Sequence, residues 1–307
     1  MIANRKIRAT VVAALAAFGL LVGAVTAAAQ GRCTMEPIAG TYAVEILGSS
    51  TFMLGPDVFP RHWSLASAPF IFVGWISIQA DGEVYGEAWD ILGDVTSGLT
   101  ALPLSGEVAE FDSSTCTAVL EWYGSPRPGG PPGRHLERYV FVENGREFRS
   151  MLMQSPSGSM AWTGRGYRMT REQAPVVTCP GPKFPQGDVL LQVKTVSSEV
   201  SQTSPASGAS MFRIAVARDG SFLGTGYVKD PVYHELPVEG VFTVQSNCTV
   251  EITLESPELP GITQHGRGVI FEEGKRGFLI MPLEVTAPGS PTIVPAFAWC
   301  ELITLGR

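Results

Sequence analysis

Charged residues are scarce in this sequence, and the short motifs that mark many enzyme classes are missing from it. Only 17% of the 307 residues are charged, against about a quarter in average proteins. No GxxxxGK(S/T) phosphate loop, HExxH zinc motif, GxSxG nucleophile motif or CxxC pair occurs. The sequence therefore identifies no reaction and no catalytic residue, and we expect neither a metal nor a cofactor.

Long apolar runs are also absent, apart from one at the start of the chain. Arg5, Lys6 and Arg8 precede an apolar, small-residue segment over 10–29 that ends in three alanines. This order is typical of a secretory signal peptide, and the small residues suit a peptidase site better than a bilayer span. We predict a signal peptide over 1–29, cleaved after Ala29, and a secreted or periplasmic protein without a membrane span after cleavage. An uncleaved N-terminal anchor is the alternative.

Positive charge is low as well. The chain has 22 basic and 29 acidic residues, and removal of 1–29 takes away three basic residues and no acidic one, which leaves a net charge of −10. Such a surface repels phosphate backbones and anionic lipids. We therefore expect no nucleic-acid partner, and the oligomeric state stays open.

Glycine and proline, in contrast, are abundant. They number 34 and 23, and 45% of the chain is hydrophobic. This composition is too apolar for a disordered chain and too rich in turn formers for a helical one. It favours many short strands joined by turns.

The chain repeats itself at long range, which indicates a tandem duplication. Several features recur in the same order, 129 to 146 residues apart. The recurring pairs are Cys33 and Cys179, Asp81-Gly82 and Asp219-Gly220, Cys116 and Cys248, Asn144-Gly145 and Glu273-Gly274, and Ala161-Trp162 and Ala298-Trp299. We predict copy one over 30–169, a linker over 170–178 and copy two over 179–307.

Each copy has the two-residue periodicity of antiparallel strands. In 248–255, for example, Val250, Ile252 and Leu254 alternate with polar residues. The Asp-Gly and Asn-Gly pairs are typical of hairpin turns, because glycine adopts positive φ without strain. Eight strands per copy, joined mainly by hairpins, predict an all-β protein of two tandem eight-stranded antiparallel barrels. Two β-sandwiches are the competing architecture.

The turn and cysteine pattern resembles that of a group of small, uncharacterised secreted bacterial proteins. The pattern comprises Gly40-Thr41-Tyr42, Asp81-Gly82 with Gly86, and Gly240-x-Phe-x-Val followed by Asn247-Cys248-Thr249. Those proteins are similar to lipocalin-like (calycin-type) barrels, so the resemblance implies that fold once per copy and carries no functional residue over. Copy one departs from the pattern, because Cys116 follows Gly106 by ten residues, whereas Cys248 follows Gly240 by eight.

Five cysteines in an exported protein favour disulfides with one cysteine left over. The repeat suggests one bridge per copy, Cys33–Cys116 and Cys179–Cys248, with Cys300 as a free thiol. A bridge from Cys300 to Cys248 or Cys179 is the alternative. The wide spacing argues against a metal site.

The two copies differ most between their first two strands. We expect 48–69 to be a long loop that forms a lid over barrel one, and its aromatic and polar residues are the candidate ligand contacts. These candidates are Phe52, Phe59, Arg61, His62 and Trp63. The alternative is that they only plug the barrel end or pack between the copies.

The remaining histidines and tryptophans carry weaker signals. His62, His135, His234 and His265 all fall in predicted loops, which favours solvated side chains over a metal site. Trp162 and Trp299, at equivalent places in the two copies, are expected to anchor the two cores.

Three functions remain open for the chain. The first is binding of a small apolar molecule in barrel one under the 48–69 loop, and scarce inward polar residues favour it. The second is an isomerase or cyclase that uses the same cavity, which inward charged residues would favour; we lean against an enzyme. The third is a structural or surface interaction protein, which two filled barrels would favour.

Overall fold

A computed structural model describes ten stretches of the chain, with gaps between them. These are residues 33–54, 64–92, 101–124, 133–155, 160–171, 185–197, 207–230, 232–258, 263–286 and 293–305. The predicted signal peptide and most of the predicted linker lie outside them, so both stay predictions.

Sixteen antiparallel strands form two closed eight-stranded barrels in tandem, which confirms the predicted fold over the sandwich alternative. Barrel one contains β1 (Gly40–Leu54), β2 (Ser64–Ile78), β3 (Glu83–Leu92), β4 (Ala101–Asp112), β5 (Thr117–Gly124), β6 (Gly133–Val142), β7 (Glu147–Gln154) and β8 (Met160–Thr170). Barrel two contains β9 (Gly187–Ser197), β10 (Ser207–Val216), β11 (Ser221–Asp230), β12 (Val232–Val244), β13 (Thr249–Glu255), β14 (Thr263–Phe271), β15 (Arg276–Thr286) and β16 (Ile293–Thr304). Each strand pairs with the next, and β8 and β16 close the barrels against β1 and β9.

The hairpin turns lie where the sequence predicts them. Gly82 and Gly220 have φ of 97° and 87°, and in each turn the preceding aspartate accepts a hydrogen bond of 3.1 Å from the backbone N–H two residues later. The two additional residues of copy one before Cys116 are also accounted for. One forms a β-bulge in β4 between Val108 and Glu110, and the other lengthens the turn to β5.

A short N-terminal helix closes one end of barrel one. This helix, α1 (Met35–Ile38), is tied to the barrel by the Cys33–Cys116 disulfide, which confirms that predicted bridge. The buried Tyr42 hydroxyl lies 2.7 Å from the Ile38 carbonyl and 2.8 Å from Arg168 Nη2. These groups fill the end of the barrel beside α1, and the opposite rim is called the mouth below.

The other cysteines lie in barrel two. Cys300 is a free, buried thiol, in agreement with the prediction, and burial raises its pKa. Cys248 is buried and disulfide-bonded, and its expected partner, Cys179, lies outside the described residues.

The outer faces of the two barrels pack against each other through a shared apolar cluster. Tyr167 of β8 stacks on Phe271 of β14, with ring centroids 5.2 Å apart and an angle of 8° between the rings. Val73, Trp89 and Phe278 belong to the same cluster and are buried. Strands at this contact are therefore buried on both faces.

Four charged side chains link the barrels beside that cluster. Arg165 donates to Glu45 in its own barrel at 2.9 and 3.0 Å and to Glu301 in barrel two at 3.1 Å. Glu301 also accepts from Arg276 at 2.9 Å. Burial alone would raise the pKa of Glu301, but the guanidinium groups of Arg276 and Arg165 outweigh it and hold that pKa below its usual value.

The predicted 48–69 loop is instead mostly a β-hairpin, so that expectation is wrong. β1 and β2 pair without interruption from Gly40 opposite Ile78 to Leu54 opposite Ser64. Pairing of this hairpin to the rest of the barrel ends at Ser50 on one side and Phe70 on the other. Residues 51–54 and 64–69 therefore form a two-stranded arm beyond the barrel rim. In barrel two the equivalent pairing ends at Val196 opposite Ser207.

In the part of the chain that the structure describes, no helix is long and apolar enough to cross a membrane.

The inter-barrel charge network gives the first prediction. Arg165→Ala removes the guanidinium group that donates two hydrogen bonds to Glu45, whose side chain is only 3% exposed. Loss of one member of a buried pair costs about 3–5 kcal/mol, so the free energy of unfolding in urea should fall by that order.

The matched control is Arg267→Ala, which breaks an outer-face pair with Glu251 of barrel two. Both side chains of that pair are roughly two-fifths exposed. Because solvent screens such a pair, the control should lose far less stability. Equal losses in the two variants would contradict a structural role for the network.

Candidate ligand site in the first barrel

The two barrel interiors differ in chemistry. In barrel two, a continuous cluster of buried apolar side chains occupies the described interior. Its members include Val189, Leu191, Phe212, Ile214, Phe242, Ile252, Leu254, Leu279, Met281 and Leu302. Barrel one also has an apolar cluster, in which Tyr42, Tyr139, Phe141 and Phe148 contact one another beside α1 and Leu120 lies opposite Glu137.

Glu137 lies in the middle of barrel one and points inward. It is on β6, where buried and exposed residues alternate, and its side chain is 1% exposed. Its Oε2 accepts hydrogen bonds from the Tyr139 hydroxyl at 2.9 Å and from Trp122 Nε1 at 3.2 Å. Its Oε1 is buried without a hydrogen-bond partner among the described residues. A buried carboxyl oxygen without a donor is costly, so it marks a candidate site.

Burial dominates the electrostatics of this carboxyl group. Desolvation raises the pKa of Glu137, and polar contacts from Ser150, Tyr139, Trp162 and Trp122 oppose that rise. The pKa of Tyr139 is raised too, because the hydroxyl is buried beside Glu137, so Tyr139 stays protonated and donates. No positively charged side chain contributes to the pKa of Glu137.

His135 is a second buried polar residue, between Glu137 and the mouth. It lies two residues before Glu137 on the same face of β6 and is 7% exposed. Burial lowers the pKa of His135, which favours the neutral ring, and its buried Nδ1 has no partner among the described residues. The ring centroid of Trp162, on β8, is 5.6 Å away. Glu137, His135, Trp122, Trp162 and Ser150 are called the polar wall below.

A groove at the mouth leads to Trp162. Pairing of β7 with β8 ends at Met151 opposite Thr163, and beyond this point a groove of about 790 Å³ separates the strands. Trp162 lines the groove and also contacts His135, while Met151 and Met153 line it as exposed apolar side chains. Trp162 therefore belongs both to this groove and to the polar wall.

Barrel two fills the place that Glu137 occupies in barrel one. β13 and β14 pair as β5 and β6 do, so Gly266, opposite Ile252, corresponds to Glu137, opposite Leu120. A Cβ at Gly266 would collide with the side chains of Met281 and Ile252. Other members of the polar wall also change. Trp122 corresponds to Leu254, His135 to Gln264 and Ser150 to Leu279.

Trp162 and Trp299 are not equivalent, so that expectation is wrong. Gly166 pairs with Phe148 in barrel one as Leu302 pairs with Gly277 in barrel two. Counted back along β8 and β16, Trp162 corresponds to Ala298 and Trp299 to Thr163. The sequence alignment is therefore one residue out of register here, and one residue exchanges the two faces of a strand.

The predicted ligand contacts fall mainly where the chain is not described. Phe52 is on β1, opposite Ala66, and Phe59, Arg61, His62 and Trp63 lie outside the described residues. Their role in binding stays a prediction.

The histidine prediction was wrong in part. His135 is buried on β6, whereas His234 and His265 are exposed but lie on strands β12 and β14. The signal that could have revealed the polar wall is the alternation of His135, Glu137, Tyr139 and Phe141, which assigns two ionisable residues to the face of the buried aromatics. Within the described ranges, no three His, Cys, Asp or Glu side chains come together as a metal site requires.

Comparisons with known proteins add little to this geometry. No family model matches the chain, and no curated protein does. Transferrin binding protein B from Haemophilus parasuis matches with 8% identity and a TM-score of 0.29, over 86% of this chain and 76% of that one. A DUF3598 protein of unknown function from Nostoc punctiforme matches with 9% identity and a TM-score of 0.26, over 89% and 100%. A porin from Rh. blastica matches with 8% identity and a TM-score of 0.19, over 86% and 99%. These scores are too low to bear on fold or function.

The buried carboxyl group gives the second prediction, on pH. Because the folded-state pKa of Glu137 is raised, folding favours its protonated form, and the stability gained at low pH is lost as pH rises through that pKa. Glu137→Gln removes this loss. The stability of the variant relative to wild type should therefore increase from pH 4 to pH 8, as measured by urea unfolding.

The control is Glu110→Gln, which removes a carboxylate from an exposed position on β4. Its stability curve should run parallel to that of the wild type. Among the described residues, the titratable side chains beside Glu137 are His135 and Tyr139, since β5, β7 and β8 contribute Trp122, Ser150 and Trp162. A Glu137→Gln curve parallel to wild type would show that burial does not perturb this carboxyl group.

Proposed function

We propose that the protein binds a small, largely apolar molecule inside barrel one, with barrel two as its structural partner. The observation that carries this proposal is the contrast between the interiors. At four of the five polar-wall positions barrel two has an apolar residue or a glycine, whereas barrel one has there a buried carboxyl oxygen without a partner among the described residues. A polar group left in an apolar interior is costly unless a ligand satisfies it.

The architecture supports a lipocalin-like carrier. An eight-stranded up-and-down barrel has room either for its own side chains or for one small ligand, and lipocalins use that room for a ligand. Apolar walls with a few convergent polar groups are typical of small-molecule sites. The Cys33–Cys116 disulfide is compatible with export, so we keep the secreted or periplasmic location as part of the proposal.

The arm supports a gated mouth. The 51–54 and 64–69 segments extend past the barrel rim as a hairpin, and the sequence between them contains the aromatic residues that we predict as ligand contacts. Among the described residues, the strands of the arm pair only with each other beyond Ser50 and Phe70. A two-stranded hairpin is by itself marginally stable in water, so it suits a cover that moves.

One observation favours an isomerase-type enzyme as a second candidate. Glu137 is an inward-facing acid whose pKa is raised, as a general acid or base requires. Binding is nevertheless the better-supported function. The hydroxyl of Tyr139 and the indole N–H of Trp122 both donate to Glu137 itself, and therefore neither is directed at a reacting substrate oxygen.

The third prediction tests whether the interior beside Glu137 is the binding site. Ser150→Leu gives barrel one the residue that barrel two has at the corresponding position, Leu279, and replaces a polar group beside Glu137 with a larger apolar one. The affinity for the neutral fluorescent probe N-phenyl-1-naphthylamine should fall by about tenfold or more, which corresponds to about 1.4 kcal/mol. Ser105→Leu, on the exposed face of β4, is the control and should bind as wild type does. Unchanged uptake by a folded Ser150→Leu variant would exclude the interior beside Glu137 as the site.

The fourth prediction tests the arm. Residues 52–66 are replaced by Asn-Gly, which joins Thr51 to Ser67 as a two-residue hairpin. The fold should persist in far-UV circular dichroism, because the barrel strands pair with each other below the arm, and probe uptake should be lost. Retention of full uptake would remove the arm from the binding mechanism.

A further inference from the structure

We propose that the ligand of barrel one is an apolar molecule that ends in a protonated primary amine, which Glu137 and His135 bind between Trp122 and Trp162. This inference rests on the proposed function and specifies the chemistry of its ligand.

Two acceptor atoms of the polar wall, one on Glu137 and one on His135, have no hydrogen-bond donor among the described residues. Oε1 of Glu137 accepts hydrogen bonds when the group is ionised, and Nδ1 of a neutral His135 accepts one when the proton is on Nε2. Both atoms are buried, and both residues face the interior from the same strand, two residues apart. An ammonium group has three N–H donors and can satisfy both acceptors at once, whereas a hydroxyl has only one.

An ionised Glu137 would also be stabilised by a positively charged ligand group. The described interior of barrel one contains one inward cation near the aromatic end, Arg168, and it is bound there to the Pro37 carbonyl and the Tyr42 hydroxyl. It contributes nothing to the pKa of Glu137. A buried carboxylate without a counter-ion is unfavourable, and a ligand ammonium would supply the missing positive charge.

The aromatic residues around Glu137 fit the same group. Trp122 reaches the carboxyl group from β5 and Trp162 from β8, so indoles flank Glu137 on two sides. Cations bind favourably to aromatic faces, most strongly to tryptophan, and rings combined with a carboxylate are a common way to bind amines. Barrel two has Leu254 and Ala298 at the corresponding positions and lacks this arrangement.

The depth of the site defines the apolar part of the ligand. Glu137 is four residues into β6 from Gly133, at the mouth. Four residues of a strand span about 13 Å, and the tilt of barrel strands shortens this to about 10 Å along the axis. An unbranched chain of eight carbons is about as long as this distance from Glu137 to the mouth.

The test compares n-octylamine with 1-octanol, which have the same chain and differ in charge. At pH 7 the amine is protonated, and wild type should bind it at least about tenfold tighter than the alcohol, as measured by quenching of tryptophan fluorescence. Glu137→Gln should lose this preference and still bind the alcohol. Glu110→Gln, which removes an exposed carboxylate of the same barrel, should keep the preference.

A pH series in wild type keeps the test valid if Glu137→Gln does not fold. Octylamine affinity should rise from pH 4 to pH 8, because the ammonium binds the ionised carboxyl group, whereas octanol affinity should not rise. Equal binding of amine and alcohol, or a preference that survives in Glu137→Gln, would overturn the amine inference while leaving binding in barrel one intact. Failure of both octyl compounds and of N-phenyl-1-naphthylamine to bind would contradict the proposed function itself.

Discussion

The interior of an eight-stranded barrel is so narrow that a few side chains decide whether it is solid or hollow. This constraint acts on both halves of the chain, because both have the same strand order and the same turns. Met281 and Ile252 occupy the space at Gly266 in barrel two, and Glu137 occupies the equivalent space in barrel one. A duplicated fold can thus keep its backbone and diverge in function through a handful of inward positions.

The narrow interior also determines the surroundings of the polar wall. Water would normally solvate a carboxylate, but the described polar groups beside Glu137 are two indoles, a phenol and a serine, and Leu120 lies opposite it. Tyr139 and Trp122 hold one carboxyl oxygen in place, and the other has no hydrogen-bond partner among the described residues. A carboxyl group fixed in this way is pre-oriented, so binding a complementary ligand costs little reorganisation.

The fold could be predicted from the sequence because its signals are local. Asp81-Gly82 and Asp219-Gly220 define hairpins, and the alternation in 248–255 indicates a strand with one buried face. The site could not be predicted in the same way. A glycine- and proline-rich segment precedes β6, and it led to the prediction of loops at His135 and, by the repeat, at His265. The burial of His135 and Glu137 depends instead on packing against β5 and β8, which are separate strands of the barrel. The hairpin in 48–69 was not predicted for another reason. Its serine and proline residues are typical of loops, and the hairpin is recognised only from the pairing of β1 with β2.

The contact between the barrels left a signal in the sequence that the two-residue pattern does not capture. Residues 70–78 and 278–283 are nearly continuous apolar runs, as expected for strands buried on both faces. In β15, Phe278 and Ile280 join the inter-barrel cluster while Leu279 and Met281 fill the interior of barrel two. Because one strand serves both cores, packing inside barrel two supports the face on which barrel one rests. A closely packed second barrel therefore fits beside a first barrel that has several polar side chains in its interior. Close packing in barrel two stabilises the wall of its neighbour, and barrel one can carry a buried carboxyl group that a solitary domain of this size would tolerate less well.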